Sequence, residues 1–339
     1  MTALTLLFCQ FNPRSLNQGK NLHKLFVNTM LTSSQRWSGV NARKLRIIFF
    51  WGLTTLFGII NFIDVSSQPS FTETKVDVDH SEKRMNNVTV DLNNCVYATV
   101  PNDLFIPVFV MTRDRVSSLK IALDSYYQTF ESPFEIIILD HFSTYPPMLA
   151  YLEQLRHTNV TVVSLTKNDW GNALGEANAI IQNYLSEHPF VEYYVVTDPD
   201  IAFLRSMPNA LLFYAGLLKS CPEVRVVGPA LLISDIPAEN TKTWRGKSPY
   251  DWEKQYWTAV PNTVTWNGVG YHVTSAKIDT TFAMRRRNLP FGRLQMPSLR
   301  AYAPYAANHV DWYFDSTNLP PDKVHYLQRQ QQGVNSWRR

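Results

Sequence analysis

Four apolar runs of strand length, spaced by stretches of helical periodicity, set the main constraint on this chain. The runs are PVFVMT (107–112), FEIIILD (134–140), VTVVSLT (160–166) and EYYVVTD (192–198). Val116 to Gln128, Met148 to Leu155 and Leu174 to Leu185 lie between them with apolar residues at helical spacing,. A further helix is expected over Leu211 to Leu218 and a further strand over VRVVGPALLI (224–233). Strands that are apolar along their whole length are covered on both faces, which predicts an α/β fold with a Rossmann-like, mostly parallel sheet between helices. No internal repeat competes with this reading. In such sheets ligands bind beyond the carboxyl ends of the strands. Those ends carry Thr112-Arg113-Asp114-Arg115, Asp140-His141 and Thr197-Asp198-Pro199-Asp200.

Two carboxylates at i and i+2 after a strand can converge on one hard divalent cation, and such a cation can bridge the phosphates of a nucleotide-sugar. The pattern is meaningful only in context. Asp77-Val78-Asp79 repeats it with no strand in front, whereas EYYVVT runs straight into Asp198 and Pro199 stops the ladder,. No G-x-G-x-x-G follows the first strand, which argues against a dinucleotide oxidoreductase. No G-x-x-x-x-G-K-[ST] is present, which argues against a P-loop enzyme,.

PVFVMTRDRVSSLKIAL, FEIIILDHFST and the strand ending in TDPD together resemble the GT-A glycosyltransferase fold. The opening is similar to the protein-linked N-acetylglucosaminyltransferase I type, whose acidic motif is often E-D-D where this chain has D-P-D. The resemblance covers residues 104–235 well and the rest loosely. It implies a nucleotide-sugar donor, a UDP-sugar, with Mn2+ or Mg2+. Thr112 and Arg115 would hold the base and phosphate, Asp140 the uracil or ribose, and Asp198 and Asp200 the metal, with Asp198 also facing the donor. The segment 169–178 is similar to the start of the helix lining the donor cleft, which implies donor contacts for Asn172 and Asn178; capping of the helix by Asn172 is the structural alternative. His309 resembles the C-terminal metal ligand of some such families. For an inverting enzyme the resemblance implies a general base from the second half of the domain, which points to Asp279, at the start of a short strand expected over 277–284, or to Asp311. Trp244, Trp252, Tyr256, Trp257, Trp266 and Tyr271 fall in what reads as a long irregular segment, where they could stack on an acceptor sugar or simply pack a loop.

The N-terminal quarter has a different character. Residues 1–46 carry seven basic residues and no acid, so the net charge of +4 leaves −3 for the rest. No basic face for nucleic acid follows from that balance. Ile47 to Ile63 is uncharged and 17 residues long, preceded by Arg43, Lys44 and Arg46 and followed by Asp64. This reads as a membrane anchor with its basic side in the cytosol. The expected organisation is a tail (1–46), a single transmembrane helix (47–63), a polar stem (64–102) and a catalytic domain (103–339). The acid-free tail also fits an organelle transit peptide. Asn87-Val88-Thr89 favours the secretory route as a glycosylation acceptor. Asn159 heads a second acceptor, placed against a strand. Of three cysteines, Cys95 and Cys221 would be lumenal, where a disulfide between them is permitted,. The expectation is a Golgi membrane glycosyltransferase acting on a glycan or glycoprotein acceptor. The alternative is a lumenal, non-catalytic sugar-binding protein on the same fold.

Overall fold

The computed structural model describes residues 98–238, 243–244, 246–257, 260–292 and 295–329, together with Val90, Leu92 and Cys95. The tail, the expected anchor at 47–63, most of the stem and Asn87 lie outside the described residues. Among those described, no helix is long and apolar enough to cross a membrane.

The chain begins with β1 (Ile106–Thr112), α1 (Val116–Thr129), β2 (Phe134–Asp140), α2 (Pro146–Arg156), β3 (Thr161–Ser164), α3 (Trp170–Glu187) and β4 (Tyr193–Thr197). The strands β3, β2, β1 and β4 lie side by side in that order and pair in parallel. This half matches the sequence expectation. Period-two alternation divides the buried residues between the two faces. Val108, Val110, Ile136, Ile138 and Val195 pack in one cluster with Leu119, Leu123 and Tyr126 of α1 and Met148 and Leu152 of α2. Phe109, Met111, Ile137, Leu139, Tyr194 and Val196 pack in another with Ala173, Ala177, Ile181 and Leu185, the four-spaced stripe of α3. Both faces of the sheet are covered, and no polar stripe is left along these strands.

The second half departs from simple alternation. It holds β5 (Ile201–Ala202), α4 (Ala210–Ser220), β6 (Val226–Pro229), α5 (Pro249–Glu253), β7 (Asn262–Trp266), β8 (Val269–Ser275), β9 (Ala283–Arg286), β10 (Ser298–Ala301), β11 (Asn308–His309) and α6 (Pro321–Gln328). The sheet continues from β4 as β9-β6-β10-β8-β7, and β11 pairs separately with β5. All strands of the large sheet run one way except β8 and β9. Three expectations are corrected. The strand over 224–233 ends at Pro229, where proline cannot donate to a ladder,. The strand over 277–284 is only Ala283–Arg286, because Phe282 takes a left-handed φ of 47° and turns the chain before it. The segment 244–271 is not irregular at its end: Asn267 and Gly268, both with positive φ, close the β7–β8 hairpin,.

Two arginines at the end of β9 tie it to one helix of each half. Arg286 donates to the carbonyls of Leu218, Cys221 and Val224 at the end of α4. Arg287 donates to those of Leu185, Pro189 and Val191 at the end of α3. Carbonyls at a helix C-terminus lack intrahelical partners and carry partial negative charge, so two adjacent arginines hold two helices to one strand.

Cys95 and Cys221 form a disulfide with Cα atoms 4.5 Å apart, closing 126 residues of chain. Ala98 N–H donates to Ser220 Oγ at 3.0 Å and Lys219 donates to Thr99 O at 2.9 Å, so the chain before β1 is fastened along α4. Cys221→Ser is expected to lower stability by about 2–4 kcal/mol in urea denaturation, chiefly by releasing the unfolded chain. An unchanged midpoint would show that the polar contacts alone hold this end.

Candidate functional site

The acidic motif leaves β4 and is fixed on both sides by segments from far along the chain. Asp198 N–H donates to Thr280 O at 2.8 Å, and Thr280 Oγ1 donates back to Asp198 Oδ2 at 2.5 Å. Val310 N–H donates to Asp200 O at 2.7 Å, extending the β5–β11 pairing. The β5–β11 pair therefore delivers His309, whose Nε2 lies 3.3 Å from Asp200 Oδ2. The Thr280 turn delivers Asp279, whose Oδ1 accepts from Thr281 Oγ1 at 2.5 Å. Gly228 makes room for that turn: a Cβ there would lie 2.9 Å from Phe282 O. Phe282 itself packs edge-on against Phe203 at 4.6 Å and against Tyr126 at 5.3 Å.

The two carboxylates of the motif have different electrostatics. Asp200 is buried and paired with Arg115 at 2.7 Å. Asp198 is partly exposed and forms no ion pair among the described residues, though the charge of Arg115 partly offsets its surroundings. Burial, then the charges of Asp200 and Asp279, push its carboxyl up to about 8,. The sign of the linkage follows from that direction. Without a cation the folded protein holds a proton that the unfolded chain releases near pH 4, so stability is greatest below that point and falls as pH rises toward 8,. Urea midpoints of cation-free protein at pH 5 and pH 8 should differ in this sense, and Asp198→Asn should flatten the difference. A midpoint that rises over the same interval in wild type but not in the variant contradicts the assignment.

Other expected residues are displaced from their expected roles. Arg115 does not project free into the donor position. It is buried, with its guanidinium 5.5 Å from the centre of the Tyr326 ring and bonded to both Asp200 and Asp311. Asp311 is likewise not an available base: it is 1% exposed and held by Arg115 and Lys323. Although burial alone would raise its carboxyl, those two cations keep it far below the usual range. His309 stacks on Trp312 at 4.6 Å, and burial lowers its pKa against the pull of Asp200 and Asp311. Asn172 does not cap α3. Asp169 does, accepting from Asn172 N–H at 2.9 Å and from its side chain at 3.0 Å. Asn178 accepts from Phe291 N–H at 2.9 Å and ties the loop after β9 to α3.

Thr112 and Asp140 do close the parallel strands beside the motif. Thr112 Oγ1 is buried and makes no hydrogen bond among the described residues. Asp140 Oδ1 accepts from Ser143 N–H at 3.3 Å, and burial raises its pKa. The aromatic segment is mostly packing. Trp244 and Trp252 meet edge-on at 4.0 Å, Trp257 stacks on Tyr302 at 4.4 Å, and Trp266 and Tyr271 pack against Phe213. Asn159 is exposed in the turn before β3 rather than sheltered by the strand.

Residues the sequence did not single out complete the surroundings. Thr280 bridges the motif to Asp279. Glu253, 2% exposed and paired with Arg300 at 2.7 Å, has its carboxyl pushed up to about 7 by burial. Arg300 Nε donates to Lys277 O at 2.9 Å, which steadies the approach to Asp279. Among the described residues, no cluster of three or more His, Cys, Asp or Glu side chains forms a ready-made metal cage. A hard cation at a nucleotide-sugar site needs fewer protein ligands, because the diphosphate supplies oxygens of its own. A cation at Asp198 would displace the proton that burial and the neighbouring acids hold there,.

No family model matches the chain and no curated protein matches it. It is similar to the solved structure of the mannosyltransferase PcManGT from Pyrobaculum calidifontis in complex with GDP-Man and Mn2+, at 21% identity over 41% of this chain and 40% of that one, with a TM-score of 0.30. It is similar also to S. aureus TarS 1–349 in complex with UDP-GlcNAc, at 16% identity over 54% and 45%, TM-score 0.31. Glucosyl-3-phosphoglycerate synthase from Mycobacterium tuberculosis aligns at 17% identity over 39% and 45%, TM-score 0.28. The chain spans less than half of each of these proteins. At such scores the likenesses carry no argument about fold or activity.

Proposed function

We propose that this protein is a metal-dependent glycosyltransferase that moves a sugar from a nucleotide-sugar, a UDP-sugar, to a glycan or glycoprotein. The observation that carries the reading is the convergence at the end of β4. Asp200 lies 3.3 Å from His309, and Asp198 is bonded to Thr280 and feels the charge of the adjacent Asp279, residues drawn from distant parts of the chain.

Asp198 would contact Mn2+ or Mg2+, with Asp200 and His309 adjoining it and the donor diphosphate completing the ligand set, and the cation would stabilise charge on the departing diphosphate,. Asp140 and Thr112 stand where the base and ribose would lie, at the strand ends. Asp279 takes the proton of the acceptor hydroxyl, since its second carboxylate oxygen makes no hydrogen bond among the described residues,. The subtype is the N-acetylglucosaminyltransferase I-like one suggested by the first loop and helix.

The compartment is proposed to be the Golgi lumen, with residues 47–63 as a single type II anchor. The basic tail and the disulfide support it, because such bonds persist outside the reducing cytosol,. Full-length protein incubated with a panel of UDP- and GDP-sugars, with and without EDTA, tests the activity. Cation-dependent release of nucleotide diphosphate is the expected result, and the absence of turnover and of donor binding across the panel refutes it.

A further inference from the structure

The C-terminal helix α6 lies on the loop between β1 and α1. Asp322 accepts from Ser117 N–H at 2.8 Å and from Ser117 Oγ at 2.7 Å, capping α1 from 205 residues away. His325 reaches Thr144 Oγ1 at 3.2 Å. The next side chain, Lys323, is 2% exposed and bonds Asp311 Oδ2. Asp311 Oδ1 bonds Arg115 Nη2, and that same nitrogen donates to Asp200 Oδ2 at 2.7 Å. Ser118 Oγ supports the junction from 3.3 Å on Asp311. Two cations and two carboxylates thus form a buried chain running from α6 to the acidic motif.

We infer that Lys323 is a positioning residue for the acidic motif, acting on Asp200 through Asp311 and Arg115. One nitrogen of Arg115 serves two carboxylates. Lys323 on the far oxygen of Asp311 satisfies part of that carboxylate's demand, which leaves Arg115 poised on Asp200. Without the ammonium, Asp311 draws the guanidinium toward itself and Asp200 loses its anchor. Buried ion pairs add little net stability compared with apolar replacements, but removing one member leaves a charge that must find compensation elsewhere.

The Val310 amide reads this directly, since its N–H bonds the Asp200 carbonyl. In full-length Lys323→Met, exchange at Val310 should rise about tenfold while core amides of β1 are unchanged, as expected for local opening. Lys323→Arg should keep wild-type exchange. Lys323→Met combined with Asp311→Asn removes both ends of the competing pair and should return Val310 toward wild type, a non-additive result. Normal exchange at Val310 in Lys323→Met with only a lower melting temperature, or a double variant as impaired as the single, overturns the inference. The consequence for activity rests on the transferase reading: the nucleotide-sugar KM of Lys323→Met should rise about tenfold and be rescued by Lys323→Arg. If the wild-type protein transfers no sugar, that reading fails, while the amide measurement still decides the role of Lys323.

Discussion

Asp198→Asn will reduce sugar transfer by at least about a thousandfold while leaving the fold intact, since a lost cation removes several kcal/mol of transition-state stabilisation. The amide keeps the oxygen that accepts from Thr280 Oγ1 and removes only the charge. Because that charge is destabilising in the folded protein without a cation, the variant should match or exceed wild-type stability at pH 8. Asp200 is a poorer probe. Asp200→Ala leaves Arg115 buried with one carboxylate fewer, and breaking a buried pair costs about 3–5 kcal/mol,. Lost activity there would mix misfolding with chemistry. His309→Ala should raise the metal concentration needed for half-maximal turnover. Wild-type turnover by Asp198→Asn, or by any form in EDTA, removes the cation from the mechanism.

Asp279→Asn should lower kcat by about a hundredfold or more with little change in donor binding, the usual scale for loss of a general base. The structure strengthens this choice over Asp311. Asp279 is partly exposed beside Asp198, whereas Asp311 is enclosed between two cations. Donor affinity measured by calorimetry and turnover measured on the same preparation separate the two effects. Retained turnover in Asp279→Asn points to retention of configuration without a dedicated base.

The half of the sheet built from β3, β2, β1 and β4 was readable because its strands are uninterrupted apolar runs with the candidate site residues at their ends. Asp198, Asp200 and Asp140 are short acids directly after such runs, a pattern that needs no tertiary information. The buried state of Arg115 was not readable. An arginine in a D-R loop reads as a solvent-facing phosphate ligand, and its partners Asp200 and Asp311 are distant in sequence. The strand β9 was expected too early, over 277–284, because the turn at Phe282 and the run Ala-Met-Arg-Arg give no alternation to place its bounds. Arg286 serves the end of α4, and Arg285 is buried against Gln295 and the carbonyls of Ala283 and Gly292. The β7–β8 hairpin carried a usable signal in Asn267-Gly268, which the density of aromatic residues around it obscured. The Pro-Pro-Asp start of α6 marks a helix, but nothing in its composition says that its lysine joins the buried ion pairs behind the acidic motif,.

The place of β9 between β4 and β6 has a consequence for how the chain is made. During synthesis β4 emerges complete at Thr197, while the strand that covers its free edge begins at Ala283. At ribosomal rates of about 5–20 residues per second the gap lasts on the order of ten seconds. For that time an apolar edge stands open to pairing with other chains. The nascent first half must then wait for a late segment, a connection of high contact order that slows closure. Chains truncated between residues 230 and 280 should accumulate as aggregates, whereas chains extending past Arg287 can close the sheet and cap both helices in one step.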